Sequence, residues 1–454
     1  MCKDTTKDQL RQEKSIFSVE SPFPEKKIRV DFDAPDISSN GGLLLMNRSS
    51  DSFLRRLAAL IPDRRNQDLI VHTYAEMVCQ RVGQIMCGYE DANDCDRLRR
   101  DSALKMSVGR RPGDADLASQ PTMTRLENHV GAMTLYRIGK LFVDQYVASF
   151  DKPPKKVVLD ADDTNANTYG GQQLSLFNSY YDEYCYMPLL IFDGGTGRLI
   201  LPVLRPGRRS KSVELYGLMR HLIEYLHRRW PHTVFELRGD AHFCSGEFMD
   251  WAHGKWYVRY TTGLAGNSAL YGLVGKQVRR AEKDYAKEAA LGKGEVIVRR
   301  YYKLEYKAKT WKRSQRVVVK IEVSSKGTNV RFVVTSNRNN KPETVYRRYC
   351  RRGEMELWIK DLKYFKADRM SCSSFKANCF RLYLHAAAYV MAFDMKHGPF
   401  KGTQVEGFTM DSLIKRIMLS AVHIVERKTF IKVSFSSHHR HRRDIEQALM
   451  RLAV

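Results

Sequence analysis

The sequence predicts an α/β protein, with an α/β core that follows a helical region. Three features carry this. Up to about residue 150, apolar positions recur at three and four, the helical period. At Val157 the texture changes to short β-branched runs, beginning with VVLDAD. From there strand, helix and strand signals alternate, the pattern of a sheet covered by helices.

The elements follow in order. Residues 1–30 are polar and charged and are expected to fray. Residues 51–88 read as helix, with Leu69, Ile70, Tyr74, Met77, Val78, Val82, Ile85 and Met86 on the apolar face and Gly88 placed to stop it. A second helix is expected from about Asp94 to Val108. After the polar break GRRPGDADLASQP, one long helix is predicted. Thr124 and Glu127 have capping-box spacing there, and Met123, Leu126, Val130, Met133, Leu141 and Phe142 form the apolar face. DKPPKK at 151–156 ends it, and Pro153 and Pro154 mark the edge of the helical region.

CYMPLLIFD and GRLILPVLRPG then read as two strands joined by turn residues at Asp193–Gly197. Helix returns at 211–230, and HTVFELRGD is a buried strand with Asp240 at its end. Residues 276–341 are strongly basic, and RVVVKIEV and VRFVVTSN look like a hairpin. Helices at about 343–366 and 374–395, the strand-like FIKVSF, then SSHHRHRR and a short helix complete the chain.

Composition narrows the partner. In 454 residues, 76 Lys and Arg stand against 51 acidic residues, a net charge of +25. Such a balance says nothing about fold but favours a polyanion: DNA, RNA or an anionic membrane. The membrane is the weakest of these, since no stretch approaches the roughly 18 uncharged apolar residues of a spanning helix. The N-terminus is also too polar for a signal peptide. The nine Cys form no C-x-x-C pair, which argues against a zinc site and fits a reducing cytoplasm. Aromatic residues at 11% argue against a disordered basic tail.

The segment YCRRGEMELWIKDLK carries the most specific chemistry. On a helix, residues seven apart drift by only about 20°. Tyr349, Glu356 and Lys363 therefore share a polar stripe, with Arg352 about 40° off. Met355, Ile359 and Leu362 form a neighbouring apolar stripe. Geometry alone favours the plainer reading, an amphipathic surface helix, because charged stripes are usually solvated faces. Two acidic strand ends supply context. In VVLDADDT, Asp160 and Asp162 share one face, and with Asp163 they either face water or bind a cation. In FELRGDAHF, Asp240 taken alone is a turn residue. Three carboxylates from two strands and a helix would make an oxygen-rich site of the kind Mg²⁺ prefers.

Several other residues have a plain and a functional reading. His242 could carry a proton but reads better as a strand-end residue. HHRHRR at 438–443 could bind metal but reads better as a phosphate-facing tail. Trp311 and nearby tyrosines could stack on an unpaired base, although sheet packing is the commoner role.

Tyr349, Arg352, Glu356 and Lys363 match the Y-x2-R-x3-E-x6-K pattern of DDE transposases. The chain resembles insertion-sequence transposases of the Tn-five and IS-four superfamily, and most of all the insertion sequence 1380 family. The supporting stretches, in the expected order, are GYEDANDCDRLRRDSALK, LASQPTMTRLEN, LDADDTNANTYGGQQLSLFNSYYDEYCYMPLLIFD, LRGDAHF and YCRRGEMELWIKDLK. One departure is Tyr169-Gly170, where the family often has His-Gly.

The resemblance implies an RNase H-like catalytic core interrupted by a β-rich insertion. The expected organisation is a helical DNA-binding domain (1–150), the first part of the core (151–260), the basic insertion (261–342), the last part of the core (343–400) and a basic C-terminal region (401–454). It implies Asp162, Asp240 and Glu356 as catalytic metal ligands, with Asp160 as the competitor for Asp162. Two Mg²⁺ ions are the implied cofactor, with Mn²⁺ as a substitute. Tyr349, Arg352 and Lys363 are implied contacts to the transposon end. Lys307, Lys309, Lys312 and Arg313 are expected to neutralise phosphates. The implied activity is cut-and-paste DNA transposition, on terminal inverted repeats and target DNA, by a homodimer assembled on DNA in a bacterial cytoplasm. The rivals are a nuclease that cuts without strand transfer, a catalytically inactive DNA-binding relative, and an RNA-binding protein, for which no RRM or KH pattern is visible.

Overall fold

The computed structural model describes residues 17–19, 28–30, 34, 36–46, 48–208, 212–292 and 295–453. Most of the stretch expected to fray, 1–30, lies outside the described residues.

The helical region holds α1 (Arg48–Ala59), α2 (Tyr74–Met86), α3 (Gln120–His129) and α4 (Ala132–Ala148). The helix expected over 51–88 is thus two helices, with Thr73 capping α2 through a bond from the Glu76 N–H. The helix expected at Asp94–Val108 is also split, into Cys95–Leu98 and Ser102–Ser107.

The long helix expected after residue 117 breaks at Val130–Gly131. Its start is set by Ser119 and a Pro in the first turn, so Thr124 and Glu127 make no capping box. Glu127 is instead buried, taking Arg81 and Arg381 at 3.3 Å each. A capping box and a buried ion pair place Glu in the same sequence context, and only packing separates them.

Eight strands form the main sheet: β1 (Lys156–Asp163), β2 (Leu189–Asp193), β3 (Leu199–Val203), β4 (Val234–Gly239), β5 (Val258–Leu264), β6 (Val298–Tyr306), β7 (Gln315–Ser324) and β8 (Gly327–Thr335). Their order is β6-β7-β8-β5-β4-β1-β2-β3. β1, β4 and β5 run parallel, and the remaining neighbours are antiparallel. The CYMPLLIFD stretch divides at Met187-Pro188: Glu183–Tyr186 joins a separate three-stranded sheet, and only Leu189–Asp193 enters the main one.

The basic stretch contributes the expected β7–β8 hairpin. It also contributes a helix not read from the sequence, α6 (Ser268–Ala290), where α5 is the helix Ser212–Arg229. The hairpin continues the main sheet through β8, which pairs with β5.

Alternation along the strands builds two cores. Leu159, Ala161, Leu189 and Ile191 face α5 and α6 in one apolar cluster. Leu190 and Phe192 point the other way, into a cluster with α8 (Gly353–Tyr364) and α9 (Phe375–His397). That second cluster also takes Phe53, Val82 and Phe142 from the helical region. The helix α7 (Pro342–Cys350) seats Val345 and Tyr346 on Val318 and Val333. Among the described residues, no helix is long and apolar enough to cross a membrane.

The C-terminal HHRHRR stretch is folded. His441 is buried, 3.2 Å from Asp444, and His439 reaches the Ser420 hydroxyl at 3.0 Å. The expectation of a phosphate-facing tail is therefore corrected for these two histidines. Trp311 is buried edge-on to Tyr306 and acts in sheet packing.

Candidate active site

With Val157, Leu159 and Ala161 turned toward α5, the pleat sends Asp160 and Asp162 to the α8 face and Asp163 to the opposite one. Each aspartate finds its own cation. Asp160 is fully buried and held by both arms of Arg238, at 2.5 Å each. Arg238 is its direct neighbour on β4, and its remaining nitrogen donates to the Arg348 carbonyl at 2.7 Å. Gly194 makes room, since a Cβ there would lie 2.5 Å from Asp160 Oδ2. Asp163 is bound by Arg205 and by His242 Nδ1 at 2.9 Å. Asp162 receives Arg352 at 2.6 Å.

The second strand acid meets Asp162 by register. Gly239 pairs with Ala161 in the parallel β4–β1 ladder, so the next step sets Asp240 beside Asp162. Asp240 accepts the His242 N–H at 2.9 Å and so caps a short turn at Ala241–Phe243. Gly263 on β5 allows the close approach. A Cβ at this position would sit 2.8 Å from the Tyr349 hydroxyl and 2.9 Å from the Ala241 nitrogen. Burial pushes Asp162 up to about 6; Arg352 pulls against that rise and Asp240 adds to it. Burial likewise raises the Tyr349 phenol, with Asp240 contributing.

The helix expected over 343–366 is broken between α7 and α8 at Arg351 and Arg352. Arg352 becomes the residue that precedes α8, and its N–H bonds the Tyr349 carbonyl at 2.9 Å. The single stripe therefore holds for Arg352, Glu356 and Lys363, while Tyr349 reaches the site from the preceding helix. Lys363 donates to the Asn165 side chain and carbonyl at 3.2 Å. With Arg352 on Asp162 and Lys363 on Asn165, α8 lies across the C-terminal end of β1. Glu356, on the stripe between them, is exposed and has no hydrogen-bond or ion-pair partner among the described residues.

The donors at this end of the sheet are oxygens, which suits a hard divalent cation. Asp162 and Asp240 come together, and the Arg352 guanidinium supplies the positive charge that a close carboxylate pair requires. Among the described residues, no three His, Cys, Asp or Glu side chains converge at ligating distance. Glu356 is on the right face of α8 without closing on the two aspartates.

Lys307, Lys309, Lys312 and Arg313 lie elsewhere. They occupy the β6–β7 turn, which register places toward the N-terminal end of β5, away from Asp240. The three lysines are exposed, and Arg313 pairs with Asp250 at 3.2 Å. Sequence reasoning missed Arg238 and Arg205. The available signal was an arginine inside the apolar strand VFELRG, which needs a buried partner.

No curated protein matches the sequence at a significant level. Among solved structures, the chain is similar to the cryo-EM structure of a piggyBac transposase synaptic complex with hairpin DNA. It is 10% identical, with 83% of this chain and 78% of that chain covered and a TM-score of 0.45. The family model described as Transposase DDE domain group 1 matches residues 20–454, and the chain belongs to that family of DDE transposases.

Proposed function

We propose that this chain is a DNA transposase that cuts DNA at terminal inverted repeats and joins the freed end to target DNA. The observation that carries the reading is the pairing of Asp162 and Asp240 at adjacent parallel strand ends, beneath a helix whose exposed Glu356 has no partner among the described residues. Strands β1 to β5 with α5 and α7 to α9 would be the RNase H-like core, and α6 with β6–β8 the insertion that interrupts it. Membership of the insertion sequence 1380 family belongs to the same proposal.

Asp162, Asp240 and Glu356 would hold divalent cations, Mg²⁺ by preference and two in number. Such ions would activate the attacking oxygen and stabilise the leaving one in phosphoryl transfer. The protein's own groups do the positioning. Arg352, now on Asp162, would turn to a phosphate beside the cut, where its planar fork grips two oxygens. Lys363 and Tyr349 would fix the strand on either side, which keeps the reacting atoms in line.

In the first step the oxygen of water bonds to phosphorus as the P–O3′ bond breaks, leaving a 3′-hydroxyl and a 5′-phosphate. In the second, that 3′-oxygen bonds to a target phosphorus as a target P–O3′ bond breaks. Two chains would act on paired ends, and Lys307, Lys309, Lys312 and Arg313 would contact phosphates away from the cut.

The test is incubation with Mg²⁺ and a labelled duplex that carries the DNA flanking the gene, with a supercoiled plasmid as target. Nicking at the repeat boundary followed by joining to the plasmid is expected. Cutting without joining would favour the nuclease alternative.

A further inference from the structure

Several helices in this chain neutralise a surface cation in place. Arg220 pairs with Glu224 at 3.0 Å, Arg347 with Glu343 at 2.8 Å, Lys415 with Asp411 at 2.8 Å and Arg442 with Glu446 at 2.7 Å. The cations of helix α6 are not neutralised in this way. Lys276, Arg279, Arg280, Lys283 and Lys287 are all exposed, and none has an ion-pair partner among the described residues. At 100° per residue they fall within a stripe about 100° wide. The carboxylates of the same stretch lie outside it. Glu282 accepts from Thr328 at 2.9 Å, and Asp284 takes Arg300 at 3.0 Å.

Those two contacts also fix where the stripe lies. Phe332 pairs with Leu264, the last residue of β5, so Thr328 stands four residues past the end of that strand. At about 3.3 Å per residue, this is about 13 Å beyond it. Asp240 sits at the same end of the sheet, and Gly263 touches it. The helix α6 begins just after β5, with Asn267 capping it through a bond from the Leu270 N–H at 2.9 Å. It then runs outward along β6 and β7, on the α5 face of the sheet. Leu270, Val274 and Ala281 seat it on the sheet, so the cationic face is turned to solvent.

We propose that Lys276, Arg279, Arg280, Lys283 and Lys287 form a rail that holds the phosphate backbone of duplex DNA beyond the end of the sheet that carries Asp162 and Asp240. This rests on the reading of the protein as a DNA transposase. From Lys276 to Lys287 the stripe rises about 17 Å. One DNA strand carries a phosphate about every 3.4 Å of axis, so about five phosphates face that length. The cations read no base edge and supply position without sequence preference. The turn with Lys307, Lys309, Lys312 and Arg313 is near the other end of β5, so α6 is nearer than that turn to the end of the sheet that carries Asp240.

The experiment uses the full chain with a fluorescein-labelled random-sequence duplex of 30 base pairs, titrated from 50 to 300 mM KCl. Three proteins are compared: wild type, a variant with Lys276→Ala, Arg280→Ala, Lys283→Ala and Lys287→Ala, and a charge-preserving variant with Lys276→Arg, Arg280→Lys, Lys283→Arg and Lys287→Arg. Each phosphate left without its cation should flatten the slope of log affinity against log salt by about 0.9, up to about 3.6 for four. The charge-preserving variant should keep the wild-type slope. Circular dichroism melting checks that the alanine variant is folded. Wild-type slope in the folded alanine variant overturns the rail alone. A wild-type protein that does not bind the duplex overturns both the rail and the transposase reading.

Discussion

Asp160 and Asp162 are two residues apart on one face of β1, and removing each should have different effects. Asp160 and Arg238 bury their charges against one another. Asp160→Asn should leave Arg238 uncompensated and cost about 3–5 kcal/mol, measurable as a lowered urea midpoint. A midpoint within error of wild type would show that the pair is not structural and would make Asp160 a candidate metal ligand again. Asp162 behaves oppositely. Its folded pKa, about 6, lies above the ordinary value of 3.8. The folded state therefore keeps its proton longer than the unfolded chain does. Stability from this group is greatest below about pH 4 and falls as pH rises through about 6, by on the order of 3 kcal/mol. Denaturant titrations of metal-free protein at pH 4 to 7 should show this fall in wild type and its absence in Asp162→Asn. Equal slopes in the two proteins would remove the upward shift that burial gives Asp162. The residue types at this site were legible from the order of acids in VVLDADDT and LRGD. The partners were not, because Arg238, Arg352 and Arg205 meet β1 from elements far along the chain.

At the scale of elements, the α7–α8 break and the approach of β5 to Asp240 shape the site. Gly263→Ala would drive a methyl into the Tyr349 hydroxyl and the backbone around Asp240. It should lower end cleavage by more than it lowers the melting temperature, since a shift of about 1 Å at reacting atoms costs about a hundredfold in rate. Wild-type cleavage would show that the β5–Asp240 contact does not set the site. A second prediction concerns Glu127, which joins α2 and α9 through Arg81 and Arg381. Glu127→Gln should destabilise the fold by about 3–5 kcal/mol in a denaturant titration, because it leaves two buried cations short of a counter-charge. A change under about 0.5 kcal/mol would mean that the cations are solvated. Periodicity made most helices and strands legible, including the β7–β8 hairpin. It did not reveal α6, whose cations disguise a helix with few apolar positions. Nor could it show which end of the sheet receives Lys307–Arg313, since that depends on register among β5 to β8.

Across the whole molecule, the helical region and the sheet share one apolar cluster through α9, so the helical region supports the site from the α8–α9 face. The family assignment covers residues 20–454, and the sequence pattern around Glu356 pointed to it because four chemically distinct residues fall at fixed spacing. What that pattern could not supply is the closure of three carboxylates, which the proposed function requires and which the described residues do not show. The most direct measurement is therefore single-turnover cleavage of an end duplex in Mg²⁺ by Asp162→Asn, Asp240→Asn and Glu356→Gln, with duplex binding measured in parallel. No detectable cleavage by any of the three is expected, with binding within a few-fold of wild type. Wild-type cleavage by Glu356→Gln would contradict the three-carboxylate site, and wild-type cleavage by either aspartate variant would remove that residue from it.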